Sequence, residues 1–317
     1  MDLVLFKLRF DDSSMDHVRQ NISTHLQQGL YSENVVAGDA FKKQAFGGHP
    51  YARTSEIQIE QLQAITKEAM RDFMKTWFTH SNVQVTVAGD IEESDLVSRL
   101  DTVLGNLTPT APENAVGPVE LNAPGDVKVI EMDIPQSVIV FYQSGVPRNH
   151  PDFYPIFVMM KIMSDNSFES RLWNEIREKR GLVYGVGADL KWSGHGAYVV
   201  GQAATANKNV TQVIDLVREE WSKMADKGAT PEELAFVKEH LTGAYPLGFT
   251  STKQIVGLLD VYQTDGLASD FIAQRNVKIQ QVTLEDVNRV AKSFLEPGKL
   301  SFVVVGKPEG LGTASKQ

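Results

Sequence analysis

The sequence predicts an α+β protein, and three observations support that class. A helix–turn–strand pattern occurs twice, residues 126–206 contain strands and helices in separate runs, and a stretch rich in proline and alanine lies between the two halves. Separate runs of strands and helices are typical of an antiparallel sheet with helices on one face. We therefore expect two homologous domains, of which only the second contains the whole pattern.

The repeat is found by shifting the chain by 217 positions. Residues 64–90 then align with residues 281–307 without a gap, so that Thr66 meets Thr283 and Gly89 meets Gly306. Each copy predicts a helix capped by threonine, a short turn and a β-branched strand that ends at glycine. Single helix–strand units are common, but the gap-free register over 27 residues favours a duplication.

Residues 107–126, LTPTAPENAVGPVELNAPGD, have no helical or strand period and predict an interdomain linker. Residues 1–106 would then be the C-terminal half of a first domain, and residues 127–317 a complete second domain. If the second copy begins near residue 128, residue 1 corresponds to residue 218, and the first copy lacks about 218 − 128 = 90 residues. A half-domain exposes an apolar helix face, which we expect a partner or further chain to cover.

Hydrophobic periodicity predicts the elements of the second copy in order. The expected elements are strands at 126–133 and 137–145, helices at about 151–163 and 167–180, strands at 181–192 and 196–204, and helices at about 207–226, 231–247 and 252–265. The repeated helix–strand unit follows them. This order predicts one sheet with its helices packed against it.

The segment SFESRLWNEIREKRGLVYGVG, residues 167–187, predicts the end of a helix, a chain reversal and the start of a strand. Its predicted buried positions are Phe168, Leu172 and Ile176, and its predicted solvent-facing positions are Glu175, Glu178 and Lys179. Gly181 has the position of a left-handed helix cap. Arg177 in the last turn is explained by the helix dipole alone, and Tyr184 by packing at a sheet rim. Alternatively, the reversal brings both side chains to one edge as two donors for a single carbonyl oxygen.

Two segments resemble the pitrilysin or insulinase-like zinc peptidases, peptidase family M16, which includes the mitochondrial processing peptidase and bacterial two-subunit peptidases. RLWNEIREKRGLVYGVGADL (171–190) is similar to a signature of that family, and FGGHPYARTSEIQIEQLQAITKEAMRDFMKTWF (46–78) looks like its conserved stretch near the end of the first domain. The resemblance extends from about Phe10 to Gly306. It implies two homologous domains that face each other across a chamber.

The resemblance also implies how such a chamber works. One domain type carries an inverted zinc motif, HxxEH, with a downstream glutamate as the third ligand. The other carries an arginine and a tyrosine that bind the substrate near the scissile carbonyl, and these correspond to Arg177 and Tyr184 here. The implied substrate is an extended peptide that pairs with an exposed strand edge.

No HxxEH motif occurs in this chain, in which the histidines are His17, His25, His49, His80, His150, His195 and His240. A zinc site needs three protein ligands, and no Asp or Glu lies between His17 and Glu33 to accompany His25. His49, in GGHPY, is predicted to order a turn. We expect no metal or other cofactor in this chain, with zinc on a partner subunit.

Composition excludes several other classes of function. The net charge of −9, with acidic and basic residues interleaved, gives no basic stripe for nucleic acid, and cysteine is absent. The longest apolar runs are too short to span a bilayer. The first residues, MDLVLFKLRFDD, lack the pattern of a signal peptide and are expected to be folded sequence.

Three hypotheses follow from the resemblance and the missing motif. The first is a subunit without zinc, inactive alone, that supplies Arg177 and Tyr184 to a homologous HxxEH-bearing M16 subunit in a heterodimer, or else forms a homodimer. The second is an active peptidase truncated at its N-terminus, whose HxxEH lies upstream of Met1. The third is a non-enzymatic M16-like scaffold subunit. Similarity to bacterial relatives indicates the periplasm as the compartment.

Overall fold

The computed structural model describes residues 6–113, 115–165 and 169–311, and it divides the chain into two compact units. Unit 1 comprises Met1–Gly29, Ser55–Val116 and Leu247–Leu267, and unit 2 comprises Leu30–Thr54, Gly117–Pro246 and Ala268–Gln317. The described helices and strands are α1 (Asp12–Gly29), α2 (Glu33–Phe46), α3 (Ser55–Ala64), α4 (Lys67–Trp77), α5 (Glu93–Leu104), β1 (Val127–Glu131), β2 (Gln136–Ser144), α6 (Phe153–Met163), a π-helix (Trp173–Glu178), β3 (Val183–Ser193), β4 (Gly196–Ala206), α7 (Val210–Lys227), α8 (Pro231–Gly243), α9 (Thr252–Thr264), α10 (Phe271–Gln281), α11 (Leu284–Phe294) and β5 (Ser301–Gly306).

The two units do not follow the boundaries predicted from the repeat. Residues 30–54 precede the predicted linker but belong to unit 2, and residues 247–267 follow it but belong to unit 1. The segment 30–54 belongs to unit 2 because α2 packs an apolar side, including Ala37 and Phe41, against the sheet of that unit. The boundaries at residues 106 and 127 therefore mark the two copies of the sequence repeat and not the two compact units. As boundaries of homologous domains they remain a prediction.

Unit 2 contains a five-stranded sheet in the order β1-β5-β2-β4-β3. All neighbouring strands are antiparallel except β1 and β5, which run parallel. The α+β class is thus confirmed, with helices α6, α7 and α11 packed on one face of the sheet. Strand β5 lies inside the sheet, because it pairs with β1 on one side and with β2 on the other.

Both faces of the central strands are buried, and this adds a second layer to the predicted arrangement. Ile139 and Phe141 of β2 point into the core shared with α6, α7 and α11, whereas Val138, Val140 and Tyr142 point into a second core beneath α2. The continuous apolar run SVIVFY needs cover on both sides, because alternate side chains of a strand face opposite ways. Helix α2 supplies that second cover.

The regular elements of unit 1 are all helices among its described residues. Its helices are α1, α3, α4, α5 and α9, and Arg19 of α1 donates a hydrogen bond of 2.8 Å to the carbonyl of Ile65 after α3. The predicted strand at 83–88 does not form, and that prediction is wrong for this structure. A strand is stabilised by pairing with a neighbour, and the described part of unit 1 provides no strand beside it.

The predicted helices of both copies are confirmed, and so are their threonine caps. Thr66 accepts a hydrogen bond of 3.1 Å from the backbone N–H of Ala69, and Thr283 accepts one of the same length from Asp286. Helices α4 and α11 begin and end at positions that differ by 217, and each is followed by a 3₁₀ turn at the same offset, His80–Asn82 and Pro297–Lys299.

The remaining predicted elements of the second copy are also found, with shifts of a few residues at their ends. Helix α10 was not predicted, and the predicted helix at 252–265 corresponds to α9 of unit 1. The predicted position of Phe168 lies outside the described residues. None of the described helices combines the length and the apolar character needed to span a membrane.

Candidate functional site

The arginine predicted to act on substrate lies on a widened helical segment. Residues Trp173–Glu178 form a π-helix, in which the backbone N–H of Lys179 donates to the carbonyl of Asn174 at 3.0 Å. Leu172 and Ile176 are fully buried, as the spacing predicted, and they hold this segment to the core. Short π segments occur often at functional sites because they redirect side chains within a helix.

Ion pairing divides the three cations at the end of this helix into two kinds. Glu175 forms salt bridges with Lys179 and, at 2.7 Å, with Arg180. The Lys179 ammonium and the Arg180 guanidinium hold the pKa of Glu175 below its usual range. Glu175 was predicted to face solvent, but its side chain is only 17% exposed, since it lies beneath these two cations. Within the described residues, Arg177 has no carboxylate partner.

The reversal at Gly181 has the left-handed backbone that its position predicted, with φ of 62°. It brings Arg177 beside the start of β3, where one Nη of the guanidinium donates to the carbonyl of Val183 at 3.3 Å. The guanidinium carbon lies 5.5 Å from the centroid of the Tyr184 ring, which is a cation–π distance. The structure therefore brings the two predicted residues together.

Tyr184 projects from the sheet into solvent, with 88% of the residue exposed. It lies in a β-bulge, because Val183 pairs with Thr205 and Val186 with Ala203, which leaves Tyr184 and Gly185 together opposite one residue of β4. Its hydroxyl forms no hydrogen bond with the described part of the chain. Strand β3 is also an edge strand, since it pairs only with β4 among the described strands.

A metal ion of the kind that the family resemblance implies does not fit the residues described. No three His, Asp or Glu side chains of residues 6–113, 115–165 and 169–311 are grouped so that they could hold one. His25 lies exposed on α1. His49 occupies a turn, as predicted, where its Nδ1 accepts from the backbone N–H of Tyr51 at 3.2 Å.

A cavity of about 390 Å³ lies in unit 2 between α2, the C-terminal end of α6 and the face of β3 and β4. We call it the α2–sheet cavity, and its polar lining includes Asn34, Lys161, Asp165, Asp189 and Gln202. Sequence patterns alone do not predict these residues as a site. They lie on α2, on the β3–β4 hairpin and at the C-terminal end of α6, and none belongs to a recognisable motif.

The fold and the edge of strand β3 define a class of protein. It is a two-unit α+β chain that presents an arginine–tyrosine pair and has no metal centre among its described residues. The model of the peptidase M16 inactive domain matches residues 64–241, which is more than half of the chain. The protein belongs to the peptidase M16 family, and residues 64–241 match the inactive domain of that family.

Individual relatives agree with that assignment. The chain is 24% identical over 299 residues to a non-peptidase homolog from Helicobacter pylori, covering 93% of this chain and 68% of the relative. It is 22% identical to the probable mitochondrial-processing peptidase subunit beta of Schizosaccharomyces pombe, covering 94% and 68%. The crystal structure of a peptidase M16 inactive domain from Pseudomonas fluorescens superposes with a TM-score of 0.89 at 22% identity, covering 98% of this chain and 74% of the other.

Proposed function

We propose that this chain is a substrate-binding subunit of an M16-type peptidase, and that Arg177 and Tyr184 hold an extended peptide for hydrolysis by another chain. The observation that carries the proposal is the pairing in the last helical turn. Lys179 and Arg180 share the carboxylate of Glu175, whereas Arg177 has no carboxylate partner among the described residues. A guanidinium without a carboxylate partner at a sheet edge is suited to a peptide carbonyl.

The geometry around Arg177 leaves donors for a ligand. A guanidinium has five N–H donors, and the contact with Val183 uses one Nη of Arg177. The Tyr184 ring on one side restricts the directions in which the others can point. A carbonyl oxygen that accepts from Arg177 and from the Tyr184 hydroxyl would be held by a charge-assisted bond and a neutral bond together.

Strand β3 offers the backbone for the rest of the peptide. It is eleven residues long, and its edge away from β4 has no strand partner in the described sheet. The backbone N–H of Ala188 donates to the Ser164 hydroxyl at 2.6 Å, so the peptide would pair with the part of β3 nearer Tyr184. An extended peptide can add to such an edge through main-chain hydrogen bonds, with side chains alternating between the two faces. The bulge at Tyr184 would fix where that pairing ends.

The hydrolytic chemistry is assigned to a partner, because the residues described here do not fit a metal ion. The fission yeast relative is named as one subunit of a processing peptidase, and the Helicobacter pylori relative as a non-peptidase homolog. By analogy, the partner is a homologous M16 subunit that carries HxxEH and zinc. The residues described here would supply neither.

Peptide binding to the whole chain tests the proposal. Fluorescence anisotropy with a labelled, extended nonapeptide of Ser, Thr and Val should give a Kd that rises about tenfold or more in Arg177→Ala, since hydrogen bonds to charged groups contribute about 1.5–3 kcal/mol. Tyr184→Phe should raise it about fivefold, as for a neutral hydrogen bond.

Two substitutions serve as matched controls. Lys179→Ala removes a cation from the same turn, and Tyr31→Phe removes the hydroxyl of another exposed tyrosine of unit 2, at 81% exposure. Both should leave the Kd unchanged. Unchanged affinity in Arg177→Ala and Tyr184→Phe as well would contradict the assignment and favour a scaffold role for this chain.

A further inference from the structure

Strand β3 has a free edge over a short stretch only. The backbone N–H of Ala188 donates to the Ser164 hydroxyl at 2.6 Å, so the backbone of Ala188 faces away from β4. Backbone groups along an antiparallel strand alternate between its two sides, and no register shift separates Ala188 from Val186. The N–H and C=O of Val186 therefore also point to the edge away from β4, where the described sheet has no further strand.

Both ends of this stretch are closed by a hydrogen bond. At one end, an Nη of Arg177 donates to the carbonyl of Val183 at 3.3 Å. At the other end lies the Ser164 hydroxyl, which α6 holds in place, since the backbone N–H of Ser164 donates to the carbonyl of Met160 at 2.8 Å. We call residues 184–187, which lie between these two contacts, the β3 window.

Beyond the β3 window, side chains of α6 contact the rest of the strand. Lys161 pairs with Asp189 at 3.3 Å, and the ring of Phe153 meets the ring of Trp192 edge-on, with the centroids 4.9 Å apart. A peptide that paired further along β3 would have to displace these contacts.

The β3 window offers a peptide mainly main-chain groups. Gly185 and Gly187 have no side chain, and that of Val186 is buried in the core. The described chain does not require these glycines, because neither has a positive φ and an added carbon would meet nothing nearer than 3.7 Å. Side-chain pairs between strands give a sheet its sequence preferences. Glycine contributes no such pair, and within a strand it marks places where another backbone approaches closely.

We propose that the β3 window is a main-chain clamp that sets the register of the bound peptide independently of its sequence. One peptide N–H donates to the carbonyl of Val186, and one peptide carbonyl accepts from the N–H of Val186. The Ser164 hydroxyl ends the pairing, because it already accepts the next edge N–H along β3. The inference rests on the proposed function, since the same peptide places a carbonyl oxygen at Arg177 and Tyr184.

The length of the peptide tests where the pairing ends. Val186 lies two residues beyond Tyr184, and an extended chain rises about 3.3 Å per residue, so a peptide of about four residues should reach both contacts. The experiment is fluorescence anisotropy of the full chain with labelled peptides of two to nine residues built from Ser, Thr and Val. The Kd should fall until both contacts are reached and then stay constant within about twofold, because no further hydrogen bond is added.

A scan of the shortest peptide with full affinity tests the clamp itself. Each position carries either alanine or N-methylalanine, in which a methyl group replaces the backbone hydrogen. N-methylalanine should raise the Kd about fivefold or more at one position only, where the N–H to Val186 is lost. Exchange of alanine for serine, valine or leucine at that position should change the Kd by less than about twofold, since the window offers no side-chain pair there.

Two variants locate the end of the pairing at Ser164. Ser164→Ala and Ser164→Gly release the N–H of Ala188, so the longer peptides should bind about fivefold more tightly than they bind the wild-type chain. The shortest peptide should bind as before. Ser170→Ala is the matched control and should leave the length dependence unchanged, because Ser170 is also buried after α6 but its hydroxyl bonds to the carbonyl of Asp165.

The outcomes separate this inference from the proposed function. Affinity that rises steadily up to nine residues in the wild-type chain, or that changes in neither Ser164 variant, would overturn the role of Ser164. Equal binding of alanine and N-methylalanine peptides at every position, with affinity still dependent on Arg177, would overturn the clamp alone. Failure of the wild-type chain to bind any of these peptides would overturn the clamp and the proposed function together.

Discussion

Residues 64–90 and 281–307 have one sequence pattern but two different environments. Both form an eleven-residue helix, a cap at threonine and a 3₁₀ turn, at positions that differ by 217 throughout. Their closing glycines also match, with φ of 157° at Gly89 and 150° at Gly306. Local structure thus follows the local sequence in both copies.

The copies differ in everything that depends on distant segments. Val287, Val290 and Ala291 of α11 are buried, whereas α4 has no buried residue and Phe73, the counterpart of Val290, is 54% exposed. Strand β5 pairs on both edges and is buried throughout, whereas Val85 and Val87 in the first copy are 40% and 41% exposed. Strand formation and burial therefore require neighbours that only the second copy has among the described residues.

The largest expected effect is at the matched helix positions. Val290→Asp should destabilise the protein by about 4 kcal/mol, because it places an uncompensated charge in the core of unit 2. Phe73→Asp should change stability by no more than about 0.5 kcal/mol, as expected at an exposed site. Urea unfolding followed by circular dichroism measures both. Similar losses in the two variants would mean that Phe73 is also buried in solution.

The matched strand positions should show a smaller contrast. Val304→Ala removes two methyl groups from a fully buried side chain and should cost about 2 kcal/mol. Val87→Ala should cost less than about 0.5 kcal/mol, since Val87 is partly in solvent already. The same unfolding experiment applies. A cost above 1.5 kcal/mol at Val87 would show that residues 83–88 are paired in solution.

Substitution of the two threonine caps should destabilise the two copies by similar amounts, because both caps are formed. Thr66→Ala and Thr283→Ala should each cost about 1 kcal/mol, and Thr283→Ala somewhat more because the Thr283 hydroxyl also donates to the Asp286 carboxylate at 2.6 Å. Hydrogen exchange of the first-turn amides of α4 and α11 reports each cap separately. A loss of protection in α11 alone would contradict the equivalence of the two helices.

The smallest expected effect is a pH dependence confined to the second copy. Hydrogen bonds from the Thr283 hydroxyl and backbone lower the pKa of Asp286, whose counterpart in the first copy is Ala69. A carboxyl with a lowered pKa in the folded state stabilises the protein above the unfolded pKa of about 3.9, and this contribution is lost as the pH falls. Protection of the first α11 amides should therefore decline below about pH 4, and Asp286→Ala should abolish that decline.

The sequence predicted what short segments determine and missed what long-range packing determines. Threonine caps, Gly181 and the buried Leu172 and Ile176 were predictable, because each follows from residues within one or two turns. The unpaired state of residues 83–88 and the cover of the second sheet face by α2 were not, since both depend on which distant segments are present.

The residues of the candidate site also fall into those that the sequence predicted and those that only the folded chain brings together. Arg177 and Tyr184 were singled out because residues 171–190 resemble a family signature, and the single reversal between them predicts that they lie close together. The α2–sheet cavity could not be predicted, because Asn34, Asp165 and Gln202 meet only in the folded chain. Nor does spacing alone predict that Glu175 pairs with Lys179 and Arg180 while Arg177 stays without a carboxylate among the described residues.

The most direct test of the central claim is the hydrolysis of a fluorogenic peptide by this chain mixed with an HxxEH-bearing M16 subunit from the same organism. We expect no hydrolysis by this chain alone and hydrolysis by the mixture. Arg177→Ala should lower kcat/KM about a hundredfold, the scale for removing one preorganised donor, and Lys179→Ala should not lower it. Hydrolysis by this chain alone, or undiminished turnover with Arg177→Ala, would contradict the proposed function.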